Sequence, residues 1–173
     1  MMKRIKKISI FILPILLFAM IFANNGCNIY KFNEATVPDT IKTVKIIQIE
    51  NKASYVNTQL GPQLTDKLRQ KVVSQTRLKQ TNGDADWEIS GTITDYGFST
   101  SGISNQQTST NRINVTVHII KNDIKGGETE EFDVTRNFDF PASQTLQQAE
   151  GNLLTEMIRG LTDDIFNRIF SDW

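Results

Sequence analysis

Apolar and polar positions along this chain fall into two periods, and each period predicts a different element. Trp87, Ile89, Gly91 and Ile93 alternate with Glu88, Ser90, Thr92 and Thr94. Ile113, Val115, Val117 and Ile119 alternate with Asn114, Thr116 and His118. Phe132, Val134, Phe138 and Phe140 alternate with Asp133, Thr135, Asn137 and Asp139, and Arg136 breaks the apolar side. A period of two with one apolar side describes strands of a sheet that is covered on one face and wet on the other. The weaker alternation of Val44, Ile46 and Ile49 within Lys42–Glu50 predicts a first strand.

The helical period appears twice. Leu60, Leu64, Leu68 and Val72 recur every fourth residue, which is one stripe of a helix. Asn57 is placed to cap it, Pro62 falls in its first turns, and it should end near Gln75, ahead of Thr81-Asn82-Gly83-Asp84. The second helix opens with a capping box, Thr145 with Gln148. From Leu146 to Phe170 it lines one broad face with Ala149, Leu153, Met157, Leu161 and Ile165. Gly151 and Gly160 each cost this helix about 1 kcal/mol against alanine, so packing has to carry it.

The short link Asn122–Gly127 predicts a hairpin between the last two strands. Residues 98–111 are almost wholly polar and predict a long loop, a length that is usually functional or disordered. The expected fold is therefore α+β: a two-layer sandwich in the order β-α-β-β-β-α, over residues 41–173, with two helices on one face of a four-stranded mixed sheet.

The first 26 residues belong to a different kind of segment. Lys3, Arg4, Lys6 and Lys7 carry four positive charges with no acid, and residues 8–23 are apolar at fourteen of sixteen positions. That run is shorter than the roughly 20 residues of a membrane span, and it matches a secretory signal. Gly26-Cys27 then places the only cysteine at the end of the run. The arrangement resembles a bacterial lipobox, in which the cysteine thiol receives diacylglycerol and the signal is cut away just before it. A lone thiol in an oxidising compartment would be a liability, and lipidation explains both its number and its place. Residues 27–40 then read as a lipidated tether. Asn28 and the lack of an acid before Glu34 suggest, by likeness to other lipoproteins, the inner leaflet of the outer membrane.

Cleavage changes the charge. The full chain has 19 basic and 19 acidic residues; without its first 26 it keeps 15 basic and 19 acidic, a net of −4. Residues 27–83 carry a net +5 and residues 123–173 a net −7. With no basic excess, nucleic acid is not an expected partner. Lys67, Arg69, Lys71, Arg77 and Lys79 form the densest basic stretch, read chiefly as a solvated helix face.

No catalytic constellation stands out. His118 lies on the polar side of a strand without a cysteine or a nucleophile elbow near it in sequence. Asp163-Asp164 reads as a wet helix face, and Glu128, Glu130, Glu131 and Asp133 as charge protecting a strand edge. Gly126-Gly127 has no phosphate-loop context. An enzyme, a metal and a cofactor are not expected; the one expected covalent group is the lipid on Cys27.

Several segments taken together resemble the LptE family of lipopolysaccharide-assembly lipoproteins in its Bacteroidetes form. They are Cys27-Asn-Ile-Tyr-Lys-Phe, Gln75-Thr-Arg-Leu, Trp87-Glu-Ile-Ser-Gly-Thr-Ile-Thr-Asp-Tyr96, Arg136-Asn-Phe-Asp-Phe140 and the terminal Asp164-Ile-Phe-Asn-Arg-Ile-Phe-Ser-Asp-Trp173. The resemblance implies a non-enzymatic outer-membrane lipoprotein that plugs the LptD β-barrel, assists its assembly and helps place lipopolysaccharide in the outer leaflet. Arg112, Lys121 and Lys125 are candidate contacts to lipopolysaccharide or the barrel, from their positions alone. The competing class is a lipid-anchored periplasmic module of another envelope machine, because the fold alone does not fix function.

Overall fold

The stretch Lys42–Glu50, predicted as one strand, folds as two. In the computed structural model, which describes residues 37–104 and 107–171 apart from the side chains of 101 and 103–109, β1 (Thr43–Ile46) and β2 (Glu50–Asn51) both run parallel to β4 (Trp87–Ser104). They lie one after the other along the same edge of β4. The break is at Ile49, whose N–H donates to Thr65 Oγ1 at 2.9 Å and whose side chain is buried. Thr65 belongs to α1 (Leu60–Gln75) and donates in turn to Gly61 O at 2.8 Å. The chain leaves the sheet there because the helix supplies the partner for the Ile49 amide.

A second short strand, β3 (Lys79–Gln80), pairs parallel with β1 at the sheet edge. The sheet thus has six strands rather than the expected four, in the order β3-β1-β4-β5-β6 with β2 beside β4. Strands of two residues are too short to display a period, which is why the pattern missed both.

The larger correction concerns residues 98–111. They are not a loop between strands. β4 and β5 (Gln107–Asp123) stay antiparallel to the tip, with Ser99 opposite Arg112, Thr100 opposite Asn111 and Ser104 opposite Gln107. Residues 105–106 lie outside the described residues. The third strand, β6 (Glu128–Pro141), ends opposite Thr110. Phe98 is 54% exposed, so the apolar cover stops there. Beyond it the sequence is almost wholly polar, so alternation vanishes although the backbone pairing continues.

A bulge hides one more feature. Register shifts between Ile93 and Asp95, so Thr94 is the extra residue. The core side moves from odd to even positions, and Tyr96 becomes buried. The predicted hairpin at 122–127 forms, with Gly127 at a positive φ of 73° and its N–H on Asp123 O.

α2 (Leu146–Phe170) carries both bonds of the predicted capping box. The cap residue of α1 is Gln59 rather than the expected Asn57, and the Gln59 side chain makes no capping bond; Asn57 Oδ1 accepts from Gln59 N–H at 3.0 Å and Leu60 N–H at 3.2 Å, an Asx-type turn that leads into the helix. The two helices pack against each other; α2 lies on β6, and α1 lies against β2 and β3. One core joins Leu60, Leu64, Leu68 and Val72 of α1, Met157, Leu161, Ile165 and Phe170 of α2, and the odd-numbered apolar residues of β5. The core also reaches Val37, ahead of residue 41.

Arg136 does not spoil this core. Its guanidinium comes out at Gly160, where Nη1 donates to Gly160 O at 2.9 Å and to Asp164 Oδ2 at 2.8 Å. A Cβ at position 160 would stand 2.8 Å from Arg136 Cζ, so the glycine makes room for the arginine.

Candidate functional site

With both helices on one face, the other face of the sheet carries no further element among the described residues and is built largely from polar side chains. Across β4, β5 and β6 the rows run Ser99–Arg112–Asp139, Gly97–Asn114–Asn137, Thr92–His118–Asp133 and Glu88–Asn122–Thr129. Several are cross-strand bonds: Thr116 and Thr135 hydroxyls at 3.0 Å, Thr129 Oγ1 donating to Asn122 Oδ1 at 2.9 Å, and Lys45 Nζ to Glu88 Oε2 at 3.0 Å. Such pairs hold a sheet whose face is wet.

Electrostatics on this face is local pairing. His118 sits between two carboxylates, Nδ1 at 2.8 Å from Asp133 Oδ1 and Nε2 at 3.6 Å from Glu131 Oε2. Arg112 makes a two-pronged bond to Asp139, Nε to Oδ1 at 2.6 Å and Nη2 to Oδ2 at 3.0 Å. This is the strong geometry for a guanidinium and a carboxylate.

The other two candidate cations sit at the far end of the sheet. Lys121 is 9% exposed, its ammonium lies 4.4 Å over the Trp87 ring, and it reaches Glu130 Oε1 at 3.1 Å. Lys125 Nζ bonds Asp86 Oδ1 at 2.8 Å and Thr40 O at 2.9 Å. Asp86 Oδ2 also accepts the Lys42 amide at 2.7 Å and the Thr43 amide at 3.0 Å. The Lys125 ammonium, and after it the Lys42 amide, hold the Asp86 carboxyl well below the usual carboxylate range. Nine residues of strand, about 30 Å at roughly 3.4 Å per residue, separate Arg112 from Lys121, and the two lie on opposite faces. The fold therefore does not bring the three cations together.

A second polar cluster lies on the helix side. Glu150 of α2 accepts from Tyr96 Oη at 2.7 Å, Tyr55 Oη at 3.0 Å and Asn57 Nδ2 at 3.2 Å. The Tyr55 and Tyr96 rings stack with centroids 5.5 Å apart. Burial and the Glu150 carboxylate push the Tyr96 phenol above its ordinary value; the same carboxylate raises that of Tyr55. Among the described residues no group of three or more His, Cys, Asp or Glu converges as a metal site, and no helix is long and apolar enough to cross a membrane.

The sequence model of the family described as LptE, lipopolysaccharide-assembly, matches residues 41–169. The chain belongs to the LptE family. Among solved structures, it is similar to a minor lipoprotein from Acinetobacter baumannii, with 16% identity over 75% of this chain and 93% of that one and a TM-score of 0.50. It is also similar to lipoprotein B from Nitrosomonas europaea, with 16% identity over 79% and 83% and a TM-score of 0.49. No match is found among curated proteins.

In this LptE-family chain the other charges singled out from sequence are mostly taken up by the fold. The acid pair splits, Asp163 to Lys71 of α1 and Asp164 to Arg136 of β6. Arg69 donates to Ile46 O through Nη2 at 2.7 Å, and Arg77 pairs with Asp39 at 2.9 Å. Glu130 and Glu131 pair with Lys121 and His118. Residues 1–26, the lipid acceptor Cys27 and the tether up to residue 36 lie outside the described residues. The Tyr55–Tyr96–Glu150 cluster was missed, because its members come from three separate segments. Tyr96 also follows the bulge that breaks the alternation.

Proposed function

We propose that this LptE-family lipoprotein is held by lipid on Cys27 to the inner leaflet of the outer membrane, once residues 1–26 are removed. There it is the non-enzymatic partner of a large LptD-like β-barrel. It plugs the lumen, assists assembly of the barrel and helps pass lipopolysaccharide to the outer leaflet. Family membership over residues 41–169 carries this reading. Two features are in keeping with it: the polar sheet face opposite the helices suits the wet interior of a large barrel, and the pairing of β4 with β5 continues past the end of β6. Arg112 and Lys125 remain the proposed contacts to phosphate or barrel, exchanging Asp139 and Asp86 for the new partner; Lys121 would contribute only its ammonium end.

Two measurements test this. Labelled palmitate should enter the wild-type protein and not Cys27→Ser; an unlabelled wild type contradicts the anchor. Depletion of the lipoprotein should lower surface-exposed lipopolysaccharide and leave it in the inner membrane on density fractionation. Unchanged surface lipopolysaccharide contradicts the assembly role.

A further inference from the structure

Between the Tyr55–Gln59 segment and the first turns of α2 lies an open hollow of about 350 Å³, at the lower end of the range of ligand sites, about 300–1,000 Å³. One wall is the Tyr55 ring, which stacks on Tyr96 and is still 44% exposed. Glu150 and Asn57 form the back, and their bonds to each other and to the tyrosines hold that wall in place. Thr58, Gln59 and Gln147 line the rest together with the apolar Val56 and Leu154, and none of the three polar side chains is hydrogen-bonded among the described residues.

The chemistry of this lining is selective. Among the described residues Glu150 is the one acidic side chain in it, and three donors already meet its carboxyl oxygens. Among the described residues no cation lines the hollow, so their side chains do not suit a phosphate or a carboxylate. A bare acyl chain would leave the amides and the hydroxyl unpaired, which is unfavourable. A half-exposed phenol ring beside neutral amides and a hydroxyl suits a ring that is apolar on its C–H face and carries hydroxyls at its rim.

Gly151 supplies an independent observation. It interrupts α2 at a cost of about 1 kcal/mol, is exposed, and lines the hollow. A Cβ there would meet nothing within 4 Å, so no packing within the described fold calls for the glycine, in contrast to Gly160. A missing side chain there leaves the helix backbone open to close approach by a ligand.

We propose that this hollow binds an uncharged saccharide stacked on Tyr55 and hydrogen-bonded by Thr58, Gln59 and Gln147, with Gly151 leaving it room. The site is separate from the barrel-facing role and does not depend on it. The sugar would belong either to the uncharged part of a glycolipid or to the cell-wall glycan.

The test uses the full lipoprotein in lauryldimethylamine oxide, a detergent with no sugar headgroup, and two probes. One is lipopolysaccharide oligosaccharide stripped of acyl chains and phosphate; the other is peptidoglycan glycan strands freed of peptide. Saturation-transfer NMR and calorimetry should show binding of at least one probe, with the strongest transfer to ring C–H protons, and the probe that binds identifies the source. Tyr55→Ala and Gly151→Gln should each weaken binding at least tenfold. Tyr55→Phe should stay within about threefold, and Gly151→Gln should melt no lower than wild type. Binding of neither probe, or binding indifferent to both Tyr55→Ala and Gly151→Gln, overturns the proposal. Barrel capture by Tyr55→Ala stays at the wild-type level, so failure here is separable from failure of the barrel role.

Discussion

Gly61→Ala should destabilise this protein although it places a better helix former in a helix. The new Cβ would stand 2.5 Å from the Ile49 carbonyl oxygen, against about 3.3 Å for the closest ordinary C–H···O contact. That oxygen is backbone and cannot swing aside as a side-chain end does. Either α1 withdraws or the Ile49 bend shifts, by close to 1 Å. Both movements stretch the Ile49 amide bond to Thr65 (2.9 Å) and the Thr65 bond to Gly61 (2.8 Å). Both also loosen Leu60 and Leu64, which are fully buried. Overpacking costs about 1–3 kcal/mol, and a weakened buried hydrogen bond adds about 1 kcal/mol. The gain in helix propensity, at most about 1 kcal/mol, does not offset these. A net loss of about 2 kcal/mol follows. In urea unfolding monitored by far-ultraviolet circular dichroism, a slope of about 2 kcal/mol per molar turns this into a midpoint lower by about 1 M. Gly151→Ala is the companion measurement. With nothing within 4 Å of the new Cβ, it should raise stability by about 0.5–1 kcal/mol. A Gly61→Ala protein as stable as wild type would refute the reasoning.

Thr65→Val should cost about 1–3 kcal/mol in the same assay, because it keeps the shape and leaves the buried Ile49 amide without its acceptor. The Asp86 carboxyl is held below its unfolded value, so the stability it confers is present above about pH 4 and is lost as pH falls through its lowered folded value. Asp86→Asn should therefore melt lower than wild type at neutral pH and show a shallower loss of melting temperature on acidification. Arg136→Met should remove the clash at position 160: Gly160→Ala, neutral or destabilising in the wild type, should become stabilising by up to about 1 kcal/mol in that background. Independent, additive effects would contradict the contact.

The main elements were legible in the sequence where one face is buried and the other wet, since burial writes the period. The stripe Leu60–Leu64–Leu68–Val72 and the box Thr145–Gln148 are found as α1 and the start of α2. Legibility failed where that condition failed. The tip of the β4–β5 ribbon is almost wholly polar in sequence, so polar strand looked like loop. β2 and β3 are two residues each and carry no period. Charged residues were harder still, because their roles depend on partners far along the chain: Lys125 meets Asp86 and Thr40, and Arg136 meets Asp164.

Affinity capture of the lipoprotein from detergent-solubilised envelopes tests the central claim most directly. A single large outer-membrane β-barrel should co-purify at equal stoichiometry and stay bound through gel filtration. Recovery of the lipoprotein alone, or with an envelope machine that lacks such a barrel, would contradict its assignment as a barrel partner in lipopolysaccharide assembly.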